Sequence, residues 1–122
     1  MPIRGIRGAV NISTDEAHEV IQTTQGLLGA ILDANPTLHP EDLASVLFSA
    51  TSDLHSAYPA QAARAMGWTH VPLLCFQEMS VAGNMPRVIR VLLHWNTDLP
   101  QESITHIYLG ETSDLRPDLS EG

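Results

Sequence analysis

RVIRVLLHWNT, residues 87–97, is the stretch that decides the fold class. It is a nearly continuous run of strand-forming apolar residues with an arginine in its middle. Side chains alternate between the two faces of a strand. Val88, Arg90, Leu92 and His94 therefore share one face, and Arg87, Ile89, Val91, Leu93 and Trp95 share the other. The run as a whole is nearly continuous in apolar residues, as expected for a strand covered on both sides. Burying an arginine there is costly unless an anion meets it. The planar guanidinium suits a carboxylate, which it can grip with two parallel hydrogen bonds. The bland alternative is an arginine at a sheet edge that snorkels to water.

The elements around this strand read as one α+β chain. IRGIRGAVNIS (3–13) is a strand with Ile3, Gly5, Arg7 and Ala9 on one face and Arg4, Ile6, Gly8 and Val10 on the other. Its glycines allow another backbone or a ligand to come close. Ser13 and Glu16 form a capping box that opens a helix. In that helix Ala17, Val20, Ile21, Thr24, Leu27, Leu28, Ile31 and Leu32 make one stripe, and Asn35-Pro36 ends it. Pro40-Glu41-Asp42 is a helical turn before a strand over 43–51. A short helix covers Pro59–Met66, with Gly67 just past its end. Strands follow over 71–81, 87–97 and 105–110, with a turn at Gly83-Asn84. LRPDLSEG reads as an irregular, mobile tail over 115–122. The order is β-α-β-α-β-β-β in a single domain spanning 1–122. One long and one short helix cannot cover both faces of so apolar a mixed sheet, so an oligomer is expected.

Bulk properties exclude several classes. The chain has six arginines, no lysine and fourteen acids, for a net charge of −8. That balance argues against nucleic acid and against an anionic membrane surface as partner. A small anion remains possible as a ligand if cations outnumber acids locally. The single cysteine, Cys75, excludes an internal disulfide. No apolar stretch approaches the length that spans a bilayer, and no leader-like segment opens the chain. The expectation is a soluble, cytoplasmic protein.

Motifs for cofactor chemistry are missing. The six histidines form no HExxH pair, and no GxGxxG or P-loop occurs, so neither metal nor nucleotide cofactor is expected. Cys75 and Glu78, in LLCFQEM, fall on opposite faces of a regular strand and can share a site only if the strand bends between them. A nucleophilic Cys75 would need a base, for which His70 and His94 are the candidates by position. A packing or hydrogen-bonding role is the simpler reading. Tyr58 and Tyr108 read by themselves as packing aromatics.

Taken together, IRGIRGA, SATSDLHSAYPAQAAR, GWTHVPLLCFQEM, RVIRVLL and HIYLGETSDLRPDLS resemble the trimeric, pseudo-barrel class of chorismate mutases, nearly end to end. The resemblance implies a ferredoxin-like α+β fold, three subunits forming a pseudo-α/β-barrel, and active sites between subunits. It also implies conversion of chorismate to prephenate on the branch toward phenylalanine and tyrosine. The substrate is a dicarboxylate that rearranges in one pericyclic step, so neither nucleophile nor base is required.

By position, Arg90 matches the donor to the breaking ether oxygen, and Arg7 and Tyr108 match the pair on the enolpyruvyl carboxylate. Glu78, with help from Cys75, matches the acceptor for the ring hydroxyl. Tyr58, Ala60 and Arg64 match wall positions across the interface, and Leu115 and Arg116 fall in the tail that closes the mouth. Three positions depart from the family pattern: Tyr58 stands for phenylalanine, Gln61 for lysine, and Leu74 for the threonine before the cysteine, where a side-chain hydrogen bond is lost. Rival readings are a trimeric imine deaminase, which also binds a carboxylate with an interface arginine, and a non-catalytic sensor of an anionic metabolite.

Overall fold

The structure is a computed structural model and describes residues 1–114. The tail at 115–122, with Leu115 and Arg116, lies outside the described residues. The elements follow the order read from the sequence: β1 (Ile3–Asn11), α1 (Ala17–Ala34), β2 (Leu43–Ala50), α2 (Ala60–Ala65), β3 (Leu73–Gln77), β4 (Val88–Asn96) and β5 (Ile107–Tyr108). The strands form one mixed sheet in the order β3-β2-β4-β1-β5. β4 is central and antiparallel to both β1 and β2, while β2–β3 and β1–β5 are parallel.

The ferredoxin-like topology is not what is found. In that plan the second and third strands follow each other directly, as β-α-β-β-α-β. Here α2 lies between β2 and β3 and crosses the chain over, so the two strands run parallel.

Both helices serve the core on one face. Val20, Thr24, Leu27, Leu28 and Ile31 of α1 are buried, matching the stripe in the sequence. Thr24 meets its polar requirement within the helix, donating from Oγ1 to the Val20 carbonyl at 2.7 Å. From the sheet, Ile6, Val46, Phe48, Ile89, Val91, Leu93 and Trp95 join the same core. Gly8 shows why β1 carries a glycine there. A Cβ at that position would lie 2.9 Å from Ile31 Cδ1, 3.1 Å from Val91 Cγ1 and 3.2 Å from Leu27 Cδ1. The close approach is made by α1, not by a ligand.

Three local readings change. The capping box does not form: α1 begins at Ala17 behind an extended Glu16, with no side-chain cap. Asp15 is used elsewhere, accepting the backbone N–H groups of Ser56 (3.1 Å) and His55 (3.2 Å) and so tying the loop after β2 to the start of α1. The Ser56 side chain and these N–H groups hold the Asp15 carboxyl below its ordinary pKa, and the His55 imidazole adds to the effect. β3 stops at Gln77, short of residue 81, and β5 keeps only two residues of the expected six. Side chains replace the missing β5 ladder: Gln101 bonds both Gly5 N–H and C=O, and His106 Nδ1 accepts the Arg7 N–H at 2.9 Å.

Two outcomes follow from this packing. Gly8→Val forces β1 and α1 apart and should lower unfolding stability by about 1–3 kcal/mol in denaturant melts. An unchanged midpoint would mean that the helix yields freely. Because the Asp15 pKa is lower in the folded than in the unfolded state, its contribution is present above the unfolded pKa and is lost as pH falls through the folded one. Asp15→Asn should therefore melt below the parent at pH 7 and match it in strong acid.

Candidate active site

The face of the sheet opposite the helices carries a cavity of about 280 Å³ lined by residues from all five strands. Arg7 comes from β1, Leu47 and Ser49 from β2, Phe76 from β3, Arg90 and Leu92 from β4, and Tyr108 from β5. Register explains the gathering. Arg90 lies opposite Ser49 on one side and Ala9 on the other, Ala9 pairs with Tyr108, and Ser49 pairs with Phe76. Arg7 is two residues before Ala9, so it falls on the same face.

Glu78 reaches this group from just beyond β3. Its N–H donates to the Ala50 carbonyl at 2.8 Å, which fixes its backbone against the end of β2. Continued alternation from Phe76 puts its side chain on the open face, the one that carries Ser49 and Arg90, and away from the Cys75 side chain. Glu78 Oε2 is in ion-pair contact with Arg90 Nε and accepts a hydrogen bond from Ser49 Oγ at 3.3 Å. The contact with Arg90 is one of charge, because the buried Nε–H is not aligned on any acceptor among the described residues. The Arg90 side chain remains 41% exposed and so available to a ligand.

Other positions singled out in the sequence lie apart. Cys75 pairs with Phe48 and packs against the core on the helix side of the sheet. It borders a second cavity of about 580 Å³ at the β3 edge, together with Tyr58, Gln61 and Phe76. His94 lies on the opposite face and is bonded through Nδ1 to Ser45 Oγ at 2.8 Å, and His70 is exposed. Ala60 is buried in the core of its own chain, Arg64 borders a third hollow beside Trp68, and Leu74 is exposed on the open face. Ser49, Leu47, Leu92 and Phe76 were not picked out from the sequence. Alternation along β4 puts Leu92 on the Arg90 face, whereas only strand register brings Leu47, Ser49 and Phe76 to it.

Two arginines, a tyrosine and a carboxylate around an apolar-floored hollow define a site for a small carboxylate with a largely apolar body. The chorismate mutase type I family matches residues 3–119 of this chain. The chain is 50% identical over 117 residues to the chorismate mutase AroH of Thermus thermophilus, covering 96% of each. It is 48% identical over 121 residues to the AroH enzyme of Bacillus subtilis, covering 98% of this chain and 94% of that one. A solved chorismate mutase from Clostridium thermocellum superposes with a TM-score of 0.87 at 41% identity, over 90% of this chain and 97% of that chain. The chain belongs to the chorismate mutase type I family. That membership removes the imine-deaminase reading.

Cys75→Ser should lower turnover by less than about tenfold, at most the worth of one neutral hydrogen bond, because the side chain packs on the helix side of the sheet. Complete inactivation with an unchanged melting temperature would point instead to thiol chemistry.

Proposed function

We propose that the protein rearranges chorismate to prephenate by holding the substrate in its reactive conformer and stabilising the charge that develops as the ether bond breaks. The observation that carries this reading is the meeting of Arg7, Arg90 and Tyr108 in one cavity with Glu78 paired to Arg90. Arg7 and Tyr108 grip one carboxylate and restrict the rotation of the enolpyruvyl arm. Confining a flexible reactant in this way removes unproductive conformers from the reaction path. Arg90 donates to the ether oxygen, where negative charge grows, so its contact is stronger in the transition state than in the ground state. Glu78 keeps Arg90 in place, accepts from the ring hydroxyl and faces the ring carbons that become positive. Cys75 contributes through its backbone.

The oligomer belongs to the same reading. Leu74 and Phe76 are 58% and 52% exposed on the open face beside the cavity. Two further copies of the chain cover them and bring Tyr58 and Arg64 toward a neighbour's Arg90 as cleft wall, with the core-buried Ala60 setting the backbone between them. The working unit is thus a homotrimer of single-domain chains acting in the cytoplasm in aromatic amino-acid biosynthesis. No helix among the described residues is long and apolar enough to cross a membrane.

Loss of chorismate absorbance with purified protein tests the activity, and a rate no faster than buffer would defeat it. Arg90→Lys keeps the charge but loses the fork. It should lower kcat by about 10²–10³ with a smaller change in KM. Near-parental turnover would remove Arg90 from the chemistry. Sedimentation equilibrium should return the mass of three chains.

A further inference from the structure

The connection from β3 to β4 begins at Glu78 and ends at Arg87, three residues before Arg90. Its middle stands out into solvent, with Met79 and Val81 78% and 56% exposed. Its last residue is held tightly in an unfavourable conformation. Arg87 has φ +50°, the only non-glycine residue at positive φ among the described residues. Side chains with a Cβ resist that left-handed region, so the surroundings must impose it.

The restraint is a polar clamp. Both Asp53 carboxylate oxygens accept the Arg87 N–H, at 3.1 and 3.0 Å. Thr51 Oγ1 donates to Asp53 Oδ1 at 2.6 Å and accepts the Val88 N–H at 3.0 Å. Arg87 Nε donates to the Ile12 carbonyl at 2.9 Å, and Ile12 N–H donates back to the Arg87 carbonyl at 2.8 Å. Thr51 N–H donates to the Val88 carbonyl at 3.1 Å. Thr51 and Asp53 also share with Glu78 the walls of a hollow of about 200 Å³ beneath the connection.

We propose that Asp53, supported by Thr51, is a positioning residue for the reaction. It holds Arg87 in the left-handed conformation from which β4 enters the sheet with Arg90 on the open face, against Glu78. Register is the reason this matters. A slip of one residue in β4 would send Arg90 to the helix side and bring an apolar neighbour to the cavity. The fixed end at Arg87 and the fixed end at Glu78 set the distance between the two charges. The inference rests on the roles assigned above to Arg90 and Glu78.

The test is steady-state kinetics and thermal melting of Asp53→Ala and Asp53→Asn, each alone and combined with Arg90→Lys. Asp53→Ala should lower kcat by about 10-fold to 10²-fold, the effect of a displaced catalytic group, with a smaller change in KM. Asp53→Asn, whose side-chain carbonyl still accepts the Arg87 N–H, should recover most of the turnover. In the Arg90→Lys background Asp53→Ala should remove little more, because both changes act on one group. If Asp53→Ala does not fold, Thr51→Val carries the same kcat test, since it leaves the carboxylate on Arg87 and removes both hydroxyl bonds. A lowered melting temperature with unchanged kcat, or equal proportional losses in both backgrounds, would overturn the proposal. Parental turnover in Arg90→Lys alone would overturn the assignment beneath it, whereas parental turnover in Asp53→Ala beside a crippled Arg90→Lys overturns the clamp alone.

Discussion

The contact between Arg90 and Glu78 is the constraint around which the open face of this protein is arranged. Its value does not lie in folding. An ion pair with one partner 41% exposed contributes about 0–1 kcal/mol once water screens it. Placing an arginine among Leu47, Leu92 and Phe76 on a sheet face is a poor choice for stability alone. The pair makes sense as a preset electrostatic device: a cation kept in one orientation by an acid, with most of its donors left for a ligand.

The rest of the sheet supports that device. β4 is central, so its backbone is held from both sides by β1 and β2. The helices cover the face formed by β1, β2 and β4, and Gly8 lets α1 lie close enough to do so. Every polar group of the site is thereby left on the other face. Local charge also resolves the contradiction of an acidic chain with a dianionic substrate. Across a net charge of −8, Arg7 and Arg90 converge on one hollow, and the acid in contact with Arg90 among the described residues, Glu78, is already committed to it.

Much of this was legible in the residues. Alternation along 87–97 placed Arg90 on the face opposite Ile89, Val91, Leu93 and Trp95, and all four of those are buried. The α1 stripe and the order of elements could be read from periodicity, because a helix and a strand bury residues at different spacings. Tertiary demands changed the rest. Asp15 was drawn to the loop at His55 and Ser56, so the helix started without the capping box. Glu78 lies just past β3 on the Phe76 side, and only the placing of β3 beside β2 and of β2 beside β4 brings it to Arg90. Ser49, Phe76 and the Asp53–Arg87 clamp depend on register between segments distant in sequence, and local pattern carries no record of it. The ferredoxin-like plan came with the family resemblance and failed on strand direction, since α2 makes β2 and β3 parallel.

The central claim is that Arg90 binds the transition state better than the ground state. Calorimetric titration of a bicyclic dicarboxylate that mimics the cyclic transition state, set beside titration of prephenate, into the parent and Arg90→Ala proteins tests it most directly. The substitution should weaken binding of the mimic by about 10²–10³ and weaken prephenate binding far less. Equal losses for the two ligands would contradict it, and would reduce Arg90 to a carboxylate anchor.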